Sequence, residues 1–196
     1  MRKIVVQVAL CLLAVAQSAS AGDSKLKLYG MLAYVSPLSE SDRNVGGVTD
    51  AVSASSEMGY SFGGEFRLSS LLGLEFDYLY AKHDIDSGTA GLLGETSFQP
   101  ISGTLNVHLP LGMIDVYGGP TAAYVNWGDL KVSGGNDVSI DPEFAIGISA
   151  GVDWAFTPNL AATGGLRWLN VEAKPETGDA VSVNPLFTRI GVAVRF

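Results

Sequence analysis

Residues 58–81 read MGYSFGGEFRLSSLLGLEFDYLYA. Every second residue from Met58 gives Met58, Tyr60, Phe62, Gly64, Phe66 and Leu68, and the residues between them are Gly59, Ser61, Gly63, Glu65 and Arg67. One side is oily and aromatic, the other small or charged. That is the two-residue period of a β-strand. After Ser69, Ser70 and Leu71 the alternation resumes, with Leu74, Phe76, Tyr78 and Tyr80 opposed to Gly73, Glu75, Asp77, Leu79 and Ala81.

The same pattern recurs along the chain. Phe144, Ile146, Ile148, Ala150, Val152, Trp154 and Phe156 oppose Ala145, Gly147, Ser149, Gly151, Asp153 and Ala155. Eight such segments are read at 25–36, 56–68, 72–85, 95–109, 113–130, 142–156, 160–173 and 183–196. Each reaches the roughly 9–11 residues with which a tilted strand crosses a bilayer, and their even number permits antiparallel closure. Connections alternate in length: long at 37–55, from 86, at 131–141 and at 174–182, and short at 69–71, 110–112 and 157–159. Tight periplasmic turns and larger external loops have this alternation, which puts both termini in the periplasm. Phe66, Trp154, Phe156 and Phe196 lie near the short turns, and Tyr34, Tyr60, Tyr80 and Trp127 towards the long loops, as two interfacial girdles require. A soluble barrel would turn its apolar face inward. The small size of the polar face, rich in Gly, Ala and Ser, suits a narrow interior instead. The expected fold is an all-β, eight-stranded antiparallel up-and-down transmembrane β-barrel.

Composition agrees. Of 196 residues, 47% are hydrophobic and 16% charged, and there are 24 glycines and 7 tyrosines. Nothing after residue 21 is a long enough apolar run for a spanning helix. At the N-terminus, Arg2 and Lys3 precede an apolar run from Ile4 to Ala16, and Ala19-Ser20-Ala21 offers a cleavage site. We read 1–21 as a signal peptide and 22–196 as the barrel. Removing it takes away two cations and no acid, so the exported chain is more acidic than the −8 of the whole. Nucleic acid is therefore not an expected partner. Cys11, the single cysteine, follows Leu10 in mid-run, which does not fit a lipid anchor, and it leaves with the signal.

With the aromatic face towards lipid, strand parity sends Glu65, Arg67, Glu75, Asp77, Asp153, Arg167, Arg189 and Arg195 into the lumen. Buried charges need partners, so these read as a salt-bridged plug in preference to an ion-conducting path, and an eight-stranded interior is too narrow for a wide aqueous pore. His83 and His108 fall at opposite ends of the barrel and cannot share a site. No enzyme, cofactor or metal site is expected. The loop acids Glu40, Asp42, Asp50, Asp84, Asp86, Asp137, Asp141, Glu143, Glu172, Glu176 and Asp179 read as solvated rather than as divalent-cation ligands at the cell surface, and Asp137 and Asp141, near Gly134-Gly135-Asn136, lack the ligand spacing of a calcium loop. Pro100 interrupts the fourth strand and brings no N–H to the ladder, which makes it either a bend or a lateral opening.

Short motifs spread over nearly the whole exported chain resemble the OmpW family of eight-stranded outer-membrane barrels. They are Gly59-Tyr60-Ser61-Phe62, Leu72-Gly73-Leu74-Glu75, Lys82-His83-Asp84-Ile85, Gln99-Pro100, Asp115-Val116-Tyr117-Gly118-Gly119-Pro120, Gly151-Val152-Asp153-Trp154, and the tail from Asn184 to Phe196. The resemblance implies a Gram-negative outer-membrane location and passage of small hydrophobic molecules, with lateral exit to the bilayer near Pro100. It also implies that the terminal Phe196 serves as the signal read by the barrel-assembly machinery. Expected partners are outer-membrane lipid, small hydrophobic solutes and that machinery, with the barrel a monomer. One departure stands out: Asp77 and Arg167 fall where that family has apolar lumen residues, and a charged pair there would close the barrel below. The alternative reading is a structural or adhesive surface barrel, similar to OmpX or OmpA, working through its acidic loops.

Overall fold

The computed structural model describes residues 25–38, 41–45, 48–87, 91–129, 131–132, 139–175 and 181–196. Eight long strands form the barrel: β1 (Leu26–Pro37), β2 (Glu57–Arg67), β3 (Leu72–Ser87), β4 (Gly91–Leu111), β5 (Ile114–Trp127), β6 (Glu143–Ala155), β7 (Leu160–Asn170) and β8 (Pro185–Arg195). Each pairs antiparallel with its sequence neighbour, and β1 pairs with β8 from Lys27↔Arg195 to Pro37↔Pro185, which closes the ring. At the join, Phe196 N–H donates to the Leu26 carbonyl at 2.8 Å and Leu26 N–H to the Phe196 carbonyl at 3.3 Å. Closure leaves none of the eight barrel strands with a bare edge, which a bilayer would not tolerate.

The short turns carry their own chemistry. Ser69 Oγ accepts the Leu71 and Leu72 amides at 3.2 and 3.1 Å, and Thr157 Oγ1 accepts those of Asn159 and Leu160 at 3.3 and 3.0 Å. Gly112 turns the β4–β5 hairpin at φ 73°. At the opposite end β3 and β4 outrun the expected segments, while β5, β7 and β8 stop two or three residues short of them. β3 and β4 stay paired to Ser87↔Gly91, past a register shift at Ile85/Asp86, so the long connection expected from residue 86 is a projecting hairpin. A further hairpin, Ser41–Val45 with Val48–Ala54, adds to the end of β3 through Val52↔Ser87 and Ala54↔Ile85. His83 helps fix its base: its Nδ1 donates to the Ser55 carbonyl at 2.8 Å, while Ser55 N–H donates to the Asp84 carbonyl at 2.9 Å.

Parity holds around the ring. The outer wall exposes Leu32, Phe62, Phe76, Ile101, Val107 and Trp154, with Phe144 at 80%, Ile146 at 71% and Ile190 at 69%. A continuous apolar band of this kind is not sustained in water, which excludes the soluble alternative. Aromatic pairs mark both rims: Trp154–Phe156, centroids 5.1 Å apart, near the short turns, and Tyr60–Tyr80 at 5.5 Å and Tyr124–Phe144 at 5.2 Å near the long connections. Trp127 is not part of that girdle. It is the last residue of β5, has lumen parity, and is buried inside.

Candidate functional site

The lumen has two layers. Nearer the short turns, Glu65, Glu75, Asp77, Asp115 and Asp153 meet Lys27, Arg67, Arg167, Arg189 and Arg195. Arg167 binds the Asp77 carboxylate through Nη1 and Glu75 Oε1 through Nη2 at 2.8 Å. Arg189 Nη1 reaches the other oxygen of Asp77 at 2.9 Å. Lys27 Nζ stands 3.3 Å from both Asp153 Oδ2 and Glu65 Oε2, with Arg195 Nη2 3.0 Å from the same Asp153 oxygen. Arg67 Nε meets Glu65 Oε1 at 2.7 Å and its Nη2 meets Asp115. His108 lies between two acids, Nδ1 3.2 Å from Asp115 Oδ2 and Nε2 3.1 Å from Glu65 Oε1. Neutral groups complete the layer. Tyr29 Oη donates to Glu75 at 2.8 Å, Tyr117 Oη to Asp153 at 3.2 Å, and Asn106 Nδ2 to Glu65 and Glu75 at 3.1 and 3.0 Å.

The structure brings together all eight charged residues expected in the lumen, and adds Lys27, Asp115 and His108. Small residues make the room. A Cβ on Gly73 would stand 2.9 Å from the Glu65 carboxylate and His108 Nε2, and one on Gly151 2.6 Å from the Tyr117 ring. On the short-turn side a cavity of about 640 Å³ lined by Lys27, Arg67, Asp115 and Arg195 abuts this layer.

Above the charges lies an apolar cluster that the expectation of a small polar interior did not contain. Ala33, Val35, Leu79, Ala81, Phe98, Ala123, Val125, Trp127, Ala145, Leu169, Val171 and Phe187 are buried together, with Ile140 and Val183 packed against them from the long connections. Phe98 stacks on Phe187 (centroids 5.8 Å, 19°) and meets Trp127 edge-on (4.8 Å, 61°). Here the inward residues of β1, β5 and β7 are apolar like outward Leu32, Tyr34, Tyr124 and Trp168, so period-two contrast weakens.

Pro100 is buried with lumen parity and borders this cluster. Between β3 and β4 the ladder runs to Tyr78↔Ile101 and resumes at Ala81↔Phe98, leaving Leu79, Tyr80, Gln99 and Pro100 without rungs, whereas Pro100↔Val125 is kept on the β5 side. On the outer wall Tyr78 Oη donates to Gln99 Oε1 across this seam at 3.0 Å. A second break, not singled out from sequence, lies between β4 and β5, from Thr104↔Thr121 to Val107↔Gly118 beside Pro120. Behind it stand Asn106 and the Thr104–Thr121 hydroxyl pair at 2.8 Å, part of the polar layer. Among the loop acids, Asp42 and Asp50 lie in the added hairpin, and Glu40, Asp137, Glu176 and Asp179 fall outside the described residues.

A closed antiparallel ring with an oily outer wall and an ion-paired interior defines a transmembrane β-barrel of the outer-membrane class. The family model for the outer membrane protein beta-barrel domain matches residues 7–196, and the chain belongs to that family. Its fold is similar to that of OprG from Pseudomonas aeruginosa, with TM-score 0.78 and 17% identity over 91% of this chain and 99% of that one. AlkL in DMPC lipid bilayers gives TM-score 0.70 and 17% identity over 91% and 93%. Outer Membrane Protein W of E. coli gives 0.52 and 16% over 88% and 98%, so the barrels that the sequence resembles are among its structural counterparts. No curated protein sequence matches the chain. The family and these neighbours are outer-membrane proteins, and that is the location they indicate.

Proposed function

We propose that the barrel conducts small apolar molecules from its long-connection end through the apolar upper lumen and releases them sideways into the bilayer between β3 and β4, beside Pro100. The observation that carries this reading is an adjacency: the missing rungs at Leu79–Tyr80 and Gln99–Pro100 border an apolar cluster containing Leu79 and Phe98, directly above the ion pairs of Asp77 and Arg167. An apolar solute exchanges favourably with the side chains of the cluster. Going further down means separating buried charges, at several kcal/mol per ion. The wall is therefore the easier way out. At the seam Pro100 brings no N–H, and the outer-face bond from Tyr78 to Gln99 can break without unzipping a strand.

In this reading residues 1–21 are removed on export, the barrel acts as a monomer, and Phe196 is the terminal signal for assembly. It needs no chemistry: His83 holds the base of a hairpin and His108 sits within the ion-paired layer. The test is uptake of the hydrophobic dye N-phenyl-1-naphthylamine by cells or proteoliposomes carrying the folded protein. We expect faster uptake than in barrel-free controls, and most of that gain lost in Pro100→Val. Equal uptake by the two proteins rejects exit at this seam.

A further inference from the structure

We propose that Trp127 is a ligand-binding residue whose indole N–H selects, among small apolar molecules, those bearing one acceptor oxygen, such as ketones and esters, over plain hydrocarbons. This inference rests on the passage reading above and names the solute class that it favours.

Trp127 is 8% exposed and belongs to the apolar cluster of the upper lumen, edge-on to Phe98. Its Nε1 is buried and has no hydrogen-bond partner among the described residues. Other polar groups near Phe98 are already engaged: His83 Nδ1 donates to the Ser55 carbonyl at 2.8 Å, and Thr96 Oγ1 to the Gly128 carbonyl at 2.7 Å. A buried indole ordinarily finds an acceptor. Its partners in the cluster are hydrocarbon, so among the described residues the donor is left open at the position in register with Phe98. A solute that carries an acceptor satisfies it in a medium of low polarity, where the bond counts for more than in water. A hydrocarbon of the same shape leaves the N–H unpaired.

The test uses the processed barrel in lipid nanodiscs with 15N-labelled indoles, and two probes of matched length, n-octane and 2-octanone. Trp154 and Trp168, on the outer wall, serve as internal references. Both probes should perturb the Val125 and Leu169 methyl signals, and only 2-octanone should move the Trp127 indole N–H downfield. Trp127→Phe should weaken 2-octanone binding about tenfold more than it weakens n-octane binding. The wild-type shift is read without the variant, so the outcome does not depend on how well that variant folds. If both probes reach the methyls while the Trp127 N–H responds alike to each, selection by Trp127 is overturned and the passage reading stands. If neither probe reaches the methyls, the passage reading falls and takes this inference with it.

Discussion

At Asp77 two guanidinium groups converge on one carboxylate inside a wall that lipid surrounds. Replacing it with alanine leaves Arg167 with Glu75 and the Thr104 hydroxyl, and Arg189 with a longer contact to Glu75 at 3.8 Å. Breaking a buried pair in this way costs about 3–5 kcal/mol, and we expect Asp77→Ala to show that loss in urea unfolding of the refolded barrel in micelles. A cost below about 1 kcal/mol would mean that water already screens the site. Glu65 and Glu75 pose the opposite problem, because they stand directly opposite each other on β2 and β3, an arrangement that by itself destabilises a sheet. Lys27, Arg67 and Arg167 supply the countercharge, and the Asn106 amide bonds both acids. Asn106→Leu should therefore cost about 1.5–3 kcal/mol in the same assay, although it adds apolar volume. Glu65 and Glu75 were legible from parity because their strands are polar on one face only. Lys27 and Asp115 were not: Lys27 shares its face with Tyr29 and Met31, as oily as the outward Leu28 and Leu32, and only its register with Arg195 and Glu65 identifies that face.

Among the strands, two prolines break two ladders, and what lies behind each break decides what it can do. Behind Pro120 is the polar layer; behind Pro100 is hydrocarbon. A proline inside an alternating segment is visible in the sequence, but the side chains that back it come from strands distant in sequence, so the two sites could not be ranked from there. The same applies to Trp127, whose position near a long connection suits a girdle until the register with Phe98 turns it inward. The seam makes a local prediction. Amides of Leu79, Tyr80 and Gln99 that face it should exchange with deuterium faster than those of Phe76 or Ser102, a few residues further down the same two strands. Pro100→Val should slow them while the melting temperature stays the same or rises. Uniform protection across 76–81 in the wild type would mean that the seam is bonded in solution, leaving lateral release without a place to begin.

Over the whole barrel the two lumen layers have different consequences for ions and for apolar solutes. The five carboxylates and five cations of the lower layer balance among the described residues and are buried or nearly so, so an ion crossing there must separate partners that have little water to replace them. An eight-stranded ring leaves no room beside them for a continuous water column. We therefore expect the wild-type protein in planar bilayers to give no steady conductance, even in the preparation that passes the apolar dye. Replacing Glu75, Asp77, Arg167 and Arg189 together with serine keeps the charge balance and removes the large side chains that fill the ring. That variant should fold less stably, conduct small ions, and take up dye at the wild-type rate, since the dye leaves above the altered layer. Steady conductance by the wild type would show that the lower lumen is open, and an apolar solute would then have no reason to turn aside at Pro100.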